Sequence, residues 1–216
     1  MPSPFFNTML RVGLTGGIAS GKSLLLRLLQ EQGAVVFSAD EAARAILTPH
    51  GEVLRQIREV FGESVFEADG TLFRSRLAAL IFQDAEARRT LNRITHPPLL
   101  RLLSFQIESA QYELSPETVV VVEVPLLYED HLQSWFDLVV VVSSTREVCL
   151  QRLMERNGLT REEGIKRLQS QKPLEEKAAY ADIVVENNGE GIALRDSAKS
   201  LWETLKRQNV QKSFEI

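Results

Sequence analysis

Eight consecutive residues, Gly16-Gly17-Ile18-Ala19-Ser20-Gly21-Lys22-Ser23, fit the pattern G-x-x-x-x-G-K-[ST]. A loop of this kind turns its backbone N–H groups toward one anion, so side chains are excluded where the turn is tightest, and Gly16, Gly17 and Gly21 supply that freedom. Lys22 then reaches the β- and γ-phosphate oxygens as a point charge, and the Ser23 hydroxyl is placed to ligate Mg²⁺. Such a loop works only between a buried strand and a helix whose N-terminal end adds positive potential. Residues 9–15 read as that strand, and residues 22–32 as a helix with a leucine-rich inner face. The pattern therefore predicts an α/β protein that handles a nucleoside triphosphate.

The rest of the chain alternates short β-rich runs with helical patterns, which is how a parallel sheet is written in sequence. Strands are expected at 34–37, at 118–122 with its run of valines, at 138–142, and more weakly at 182–185. The expected architecture is a three-layer α/β/α sheet of about five parallel strands. Between the second and third of these lies a long helical stretch, with apolar residues at helical spacing over 41–47, 51–61, 73–82 and 84–112. It is large enough to wall a second binding site, or merely to pack the sheet. Residues 146–172 are helical with a break at Asn157-Gly158, either a stop or a hinge, and an amphipathic helix runs from 190 to 208.

Composition removes several classes. A net charge of −4 over 216 residues argues against non-specific nucleic-acid binding, so any basic site is local. The single cysteine, Cys149, excludes an intrachain disulfide framework and points to a reducing compartment, with a buried helical position expected. No signal-peptide pattern or membrane-length apolar run is read, and a soluble, cytoplasmic protein with no membrane partner is expected.

Phosphoryl transfer requires charge neutralisation and an acceptor held in line, so carboxylates and arginines at the carboxyl ends of strands are the candidates. Asp40 follows the second strand and opens a helix. It can accept the acceptor hydroxyl's proton or orient that hydroxyl; alternatively Ser38 or Asp40 simply caps the helix, for which Asp is a preferred residue. Glu123 ends the valine run, where a carboxylate could hold the Mg²⁺ shell through water, and it would be costly buried without a partner. Arg152 and Arg156 are four apart on one helical face and could clamp phosphates, although the acids around them also suit a solvated face. His96, before Pro97-Pro98, reads either as a substrate contact or as a structural residue at a helix interruption.

Taken in order, several segments resemble the dephospho-coenzyme A kinase family: residues 12–23 around the glycine-rich loop, Ser38-Ala39-Asp40, and Leu91-Asn92-Arg93-Ile94-Thr95-His96-Pro97. Further on come Val124-Pro125-Leu126-Leu127-Tyr128-Glu129, the stretch from Arg152 to Arg156, and Val185-Glu186-Asn187-Asn188-Gly189. The resemblance spans nearly the whole chain and implies three parts: a core of 9–47, 113–144 and 181–216, a helical coenzyme A-binding region at 48–112, and a lid at 145–180. It implies transfer of the ATP γ-phosphoryl group to the ribose 3′-hydroxyl of dephospho-coenzyme A with Mg²⁺, by a chain expected to be monomeric. Gly17, Ala19, Ser20, Gly21, Lys22, Ser23 and Leu24 would hold ATP, with Asn187 and Asn188 against its adenine. By the same resemblance Asp40 is the general base, Arg152 a lid arginine and His96 an acceptor-side residue. The chain departs from the family pattern at Leu24, where many relatives carry Thr, and at Glu123, where Asp is usual. Other readings are a nucleoside monophosphate or shikimate type of kinase, or a GTP-dependent switch; against the switch, no Asn-Lys-x-Asp element is present.

Overall fold

The computed structural model describes residues 9–189 and 191–214. These divide into two compact units, one made of the described residues up to Ser38 together with those from Ala110 onward, the other being Ala39–Ser109.

The first unit is built on five parallel strands: β1 (Leu10–Gly16), β2 (Val35–Ser38), β3 (Val119–Glu123), β4 (Leu138–Ser143) and β5 (Ile183–Glu186). They lie in the order β2-β3-β1-β4-β5, so β1 sits at the centre with the chain crossing to either side of it. That order creates a switch point at the carboxyl edge of β1, where an open α/β sheet leaves a crevice for a ligand. All five residues of β3 are buried, as a strand covered on both faces demands. Each of its four valines contributes roughly 1.5–3 kcal/mol by leaving water.

Side chains alternate across β1, and each face has its own partners. Val12 and Leu14 join a cluster with Leu25, Leu28 and Leu29 of α1 (Lys22–Glu31) and with Leu194, Ala198, Leu201 and Leu205 of α9 (Gly191–Phe214). On the opposite face a Cβ at Gly13 would stand 2.7 Å from both Leu127 and the Phe136 ring, so glycine is what lets that loop lie against the strand. Helices flank the sheet in a three-layer α/β/α arrangement.

Two ion clusters tie distant segments of this unit together. Asp137 receives the Arg11 guanidinium at 2.9 Å and the Lys212 ammonium at 2.7 Å, joining the start of β1 to α9. Burial alone would raise its carboxyl, but these donors and the Arg11 backbone N–H outweigh it and hold Asp137 below the usual carboxylate range. A depressed carboxyl stabilises the fold above its unfolded value near 4 and loses that contribution as pH falls through the folded value. The Asp137→Asn protein is therefore expected to lose stability at neutral pH, and the gap to the parent should close as urea midpoints are measured at progressively lower pH below 4.

The second cluster was not foreseen from sequence. Lys177, on the short helix α8 (Leu174–Ala179), has a fully buried side chain. Its Nζ lies 2.8 Å from Glu129 Oε1 and donates to the Pro125 carbonyl at 3.0 Å, while Glu129 also accepts the Lys172 N–H at 3.1 Å. Removing one member leaves the other as an uncompensated buried charge, so Lys177→Met should cost about 3–5 kcal/mol in chemical denaturation. Adding Glu129→Leu to that variant should recover most of the loss.

The second unit is helical: α2 (Ala39–Ala45), α3 (Glu52–Phe61), α4 (Arg74–Gln83) and the part of α5 (Ala85–Glu113) up to Ser109. It has its own core, in which Val53, Leu54, Ile57, Val65, Phe66 and Leu77 pack with Leu91 and Ile94. The interruption expected beside His96 is absent, since α5 runs unbroken through Pro97 and Pro98. Each proline removes one backbone donor from the ladder, and the long helix tolerates the two losses. The expected tail helix runs to Phe214, and residue 190, at its expected start, lies outside the described residues.

Candidate active site

The phosphate loop leaves β1 at Gly16 and enters α1 at Lys22. Gly16 adopts φ +150° beneath the Val142 carbonyl, which a Cβ would approach to 2.4 Å. At Gly21 φ is +102°, and a Cβ there would lie 2.2 Å from the Asn187 side-chain nitrogen. Ala19 also takes a positive φ of 61°, a conformation that costs a residue with a Cβ roughly 1–3 kcal/mol and that persists mostly where function demands it. No side chain caps the N-terminus of α1 and no acid lies in its first turn, so the positive end of the helix is kept for an anion.

Lys22 is buried, and its ammonium donates to the Gly17 carbonyl at 2.7 Å and to the Gly16 carbonyl at 3.2 Å. One residue on, the Ser23 hydroxyl donates to Glu123 Oε1 at 3.1 Å. Two residues a hundred positions apart in sequence are thus brought together at the carboxyl edge of the sheet, where Glu123 is paired in register with Leu14 of β1 and Ser38 of β2. The burial of Glu123 is compensated by a polar partner. A hydroxyl and a carboxylate side by side are hard oxygen donors of the type that suits Mg²⁺. Among the described residues no cluster of three or more acidic, histidine or cysteine side chains could hold a metal alone. The pair accordingly fits an ion that shares its coordination with phosphate oxygens and water.

Asn187 and Asn188 follow β5 and close the loop from the other side. The Asn187 side chain donates to the Ser20 carbonyl at 2.8 Å, and the Asn187 carbonyl accepts from Ser144 Oγ at 2.7 Å and from Arg152 at 3.0 Å. The Asn188 carboxamide oxygen accepts the Thr145 N–H at 2.7 Å, next to the Thr145 side-chain cap of α6 (Arg146–Asn157). Arg152 donates further to the Gly189 carbonyl at 2.9 Å. Arg156, four residues on, is exposed and donates to the adjacent Asn157. Gly21, Leu24, Arg152, Asn187 and Asn188 line one cavity of about 730 Å³.

A second cavity, of about 360 Å³, lies over Gly17 and Ile18 and is bounded by Cys149, Lys172 and Leu174. Leu174 belongs to α8, which follows α7 (Arg161–Leu168). Burial pushes the Cys149 thiol up, so at neutral pH it is a protonated wall residue and not a nucleophile. Asn157-Gly158 proves to be a helix stop, with Gly158 at φ 63° accepting the left-handed turn that ends α6.

Asp40 and His96 belong to the second unit. Asp40 is the exposed second residue of α2, two residues along the chain from Ser38. His96 lies half-buried within α5.

The dephospho-CoA kinase family model matches residues 10–192. A dephospho-CoA kinase of Listeria monocytogenes is 41% identical over 197 residues, covering 91% of this chain and 96% of that protein. One from Geobacillus kaustophilus is 40% identical over 201 residues, covering 92% and 99%. Among solved structures, TT1252 from Thermus thermophilus superposes with a TM-score of 0.73 at 33% identity, covering 91% of this chain and 98% of that one.

Proposed function

The chain belongs to the dephospho-CoA kinase family, and from that premise we propose how its residues divide the reaction. The reaction is transfer of the ATP γ-phosphoryl group to the ribose 3′-hydroxyl of dephospho-coenzyme A, giving coenzyme A and ADP, the final step of coenzyme A biosynthesis. The chain is thus a phosphotransferase with an alcohol as acceptor, in preference to a nucleoside monophosphate or shikimate kinase or a nucleotide switch.

In our reading the loop amides from Gly17 to Leu24 cradle the phosphates and Lys22 exchanges its loop carbonyls for β- and γ-oxygens. Asp40 accepts the proton of the 3′-hydroxyl as the new P–O bond forms and the bond to the β-phosphate oxygen breaks. Arg152 and the Asn187-Asn188 turn hold the nucleotide in the cavity they share with Gly21 and Leu24, and His96 serves the acceptor. Ser23 directly and Glu123 through water would hold Mg²⁺, which when bound offsets charge on the phosphates. The single observation that carries this assignment is the 3.1 Å bond between Ser23 and Glu123 at the mouth of the loop.

The proposal also assigns residues 48–112 to the acceptor and 145–180 to a lid, and takes the protein as a cytoplasmic monomer. The test is incubation with Mg²⁺-ATP and dephospho-coenzyme A, with AMP and shikimate alongside, and mass detection of the phosphorylated product. Product from dephospho-coenzyme A alone is expected; product from a control alone refutes the assignment.

A further inference from the structure

Within the second unit, mostly in the segment proposed above for the acceptor, is a cavity of about 490 Å³ to whose residues no role has been given. Its walls include Leu47, Leu54 and Leu72, while Arg55, Arg58 and Arg74 stand around it. Those arginines are not equivalent. Arg55 is committed to Glu52 and Glu59 at 2.6 Å each. Arg58 is partly committed, with Glu63 at 3.4 Å, the Gly70 carbonyl at 3.4 Å and its guanidinium over the Phe66 ring at 4.3 Å. Arg74 makes no side-chain hydrogen bond or ion pair with any described residue, nor does His50, which lines the same cavity.

The position of Arg74 makes that lack of a partner informative. It is the first residue of α4, a place where the helix dipole disfavours a cation, and no acid lies in that first turn to offset it. The one carboxylate in the lining, Asp69, already accepts the Thr71 N–H at 2.9 Å and the Thr71 hydroxyl at 2.7 Å. The cavity therefore offers an apolar floor and an uncommitted guanidinium, whose planar fork matches two phosphate oxygens at once. Its size admits a small amphipathic anion and not a polymer.

We propose that this cavity is the diphosphate subsite for the acceptor, with Arg74 as its principal ligand, Arg58 and His50 beside it, and the leucines against the apolar part of the same molecule. The proposal rests on the reading of dephospho-coenzyme A as acceptor. Calorimetric titration of dephospho-coenzyme A into the full chain, saturated with a non-hydrolysable ATP analogue so that the phosphate loop is filled, tests it. Arg74→Gln is expected to weaken dephospho-coenzyme A about ten- to a hundredfold. Affinity for the ATP analogue should be unchanged, and so should affinity for adenosine, which lacks the diphosphate. Because Arg74 is exposed and unpartnered, the melting temperature should hold or rise slightly. Equal affinity of parent and variant for dephospho-coenzyme A overturns the subsite and leaves the function standing, as does a loss matched by equal losses for adenosine or the ATP analogue. If the parent neither binds nor phosphorylates dephospho-coenzyme A, the functional reading fails first and the subsite with it.

Discussion

Replacing Lys22 by alanine is expected to lower kcat by about 10²–10³-fold while the protein keeps its fold. The charge it removes already lies within the loop before any nucleotide arrives, the ammonium resting on the Gly16 and Gly17 carbonyls that it exchanges for phosphate oxygens. A positive charge there acts where negative charge develops during transfer, whereas water admitted into the gap carries no net charge and must spend free energy reorganising. Steady-state rates with saturating Mg²⁺-ATP, set beside circular dichroism of the variant, provide the measurement. Turnover within a few-fold of the parent would mean that the loop binds nucleotide without assisting the chemistry.

The second large effect separates the two readings of Asp40 that the sequence leaves open. Asn caps a helix about as well as Asp, so if Asp40 is only a cap, Asp40→Asn should change neither melting temperature nor rate. If it is the base, the amide cannot take the hydroxyl proton and kcat should fall by about 10²–10⁴-fold at unchanged stability. Asp40 is the second residue of α2 and exposed, so it lies within the helix and not at the position before it where a side-chain cap sits.

The phosphate loop, the order of elements and the helical insertion were legible because each rests on a local pattern: glycines at fixed spacing, valine runs, apolar residues at helical period. All five strands nonetheless end one residue later than hydrophobicity indicates, at Gly16, Ser38, Glu123, Ser143 and Glu186. The reason is that the last rung of each ladder is made by backbone groups, and a polar or missing side chain at the rim does not prevent pairing. Two of those rim positions, Gly16 and Glu123, belong to the candidate site, so the hydrophobic signal fades where that site begins. Lys177 was illegible for a different reason. It sits among Glu175, Glu176 and exposed neighbours, and only the fold reveals that a lysine from α8 is buried against a glutamate 48 positions earlier. The bond between Ser23 and Glu123 was half legible, as two separate candidates whose meeting no spacing could announce.

The carboxamide of Asn187 braces the Ser20 carbonyl, and only the bare α-carbon of Gly21 leaves room for it. On the proposed placing of Asn187 against the nucleobase, a designer retuning base preference there would be handling a strut of the anion cradle as well. Under that proposal nucleobase choice and triphosphate grip are mechanically one part, and variation in either has to carry the other with it.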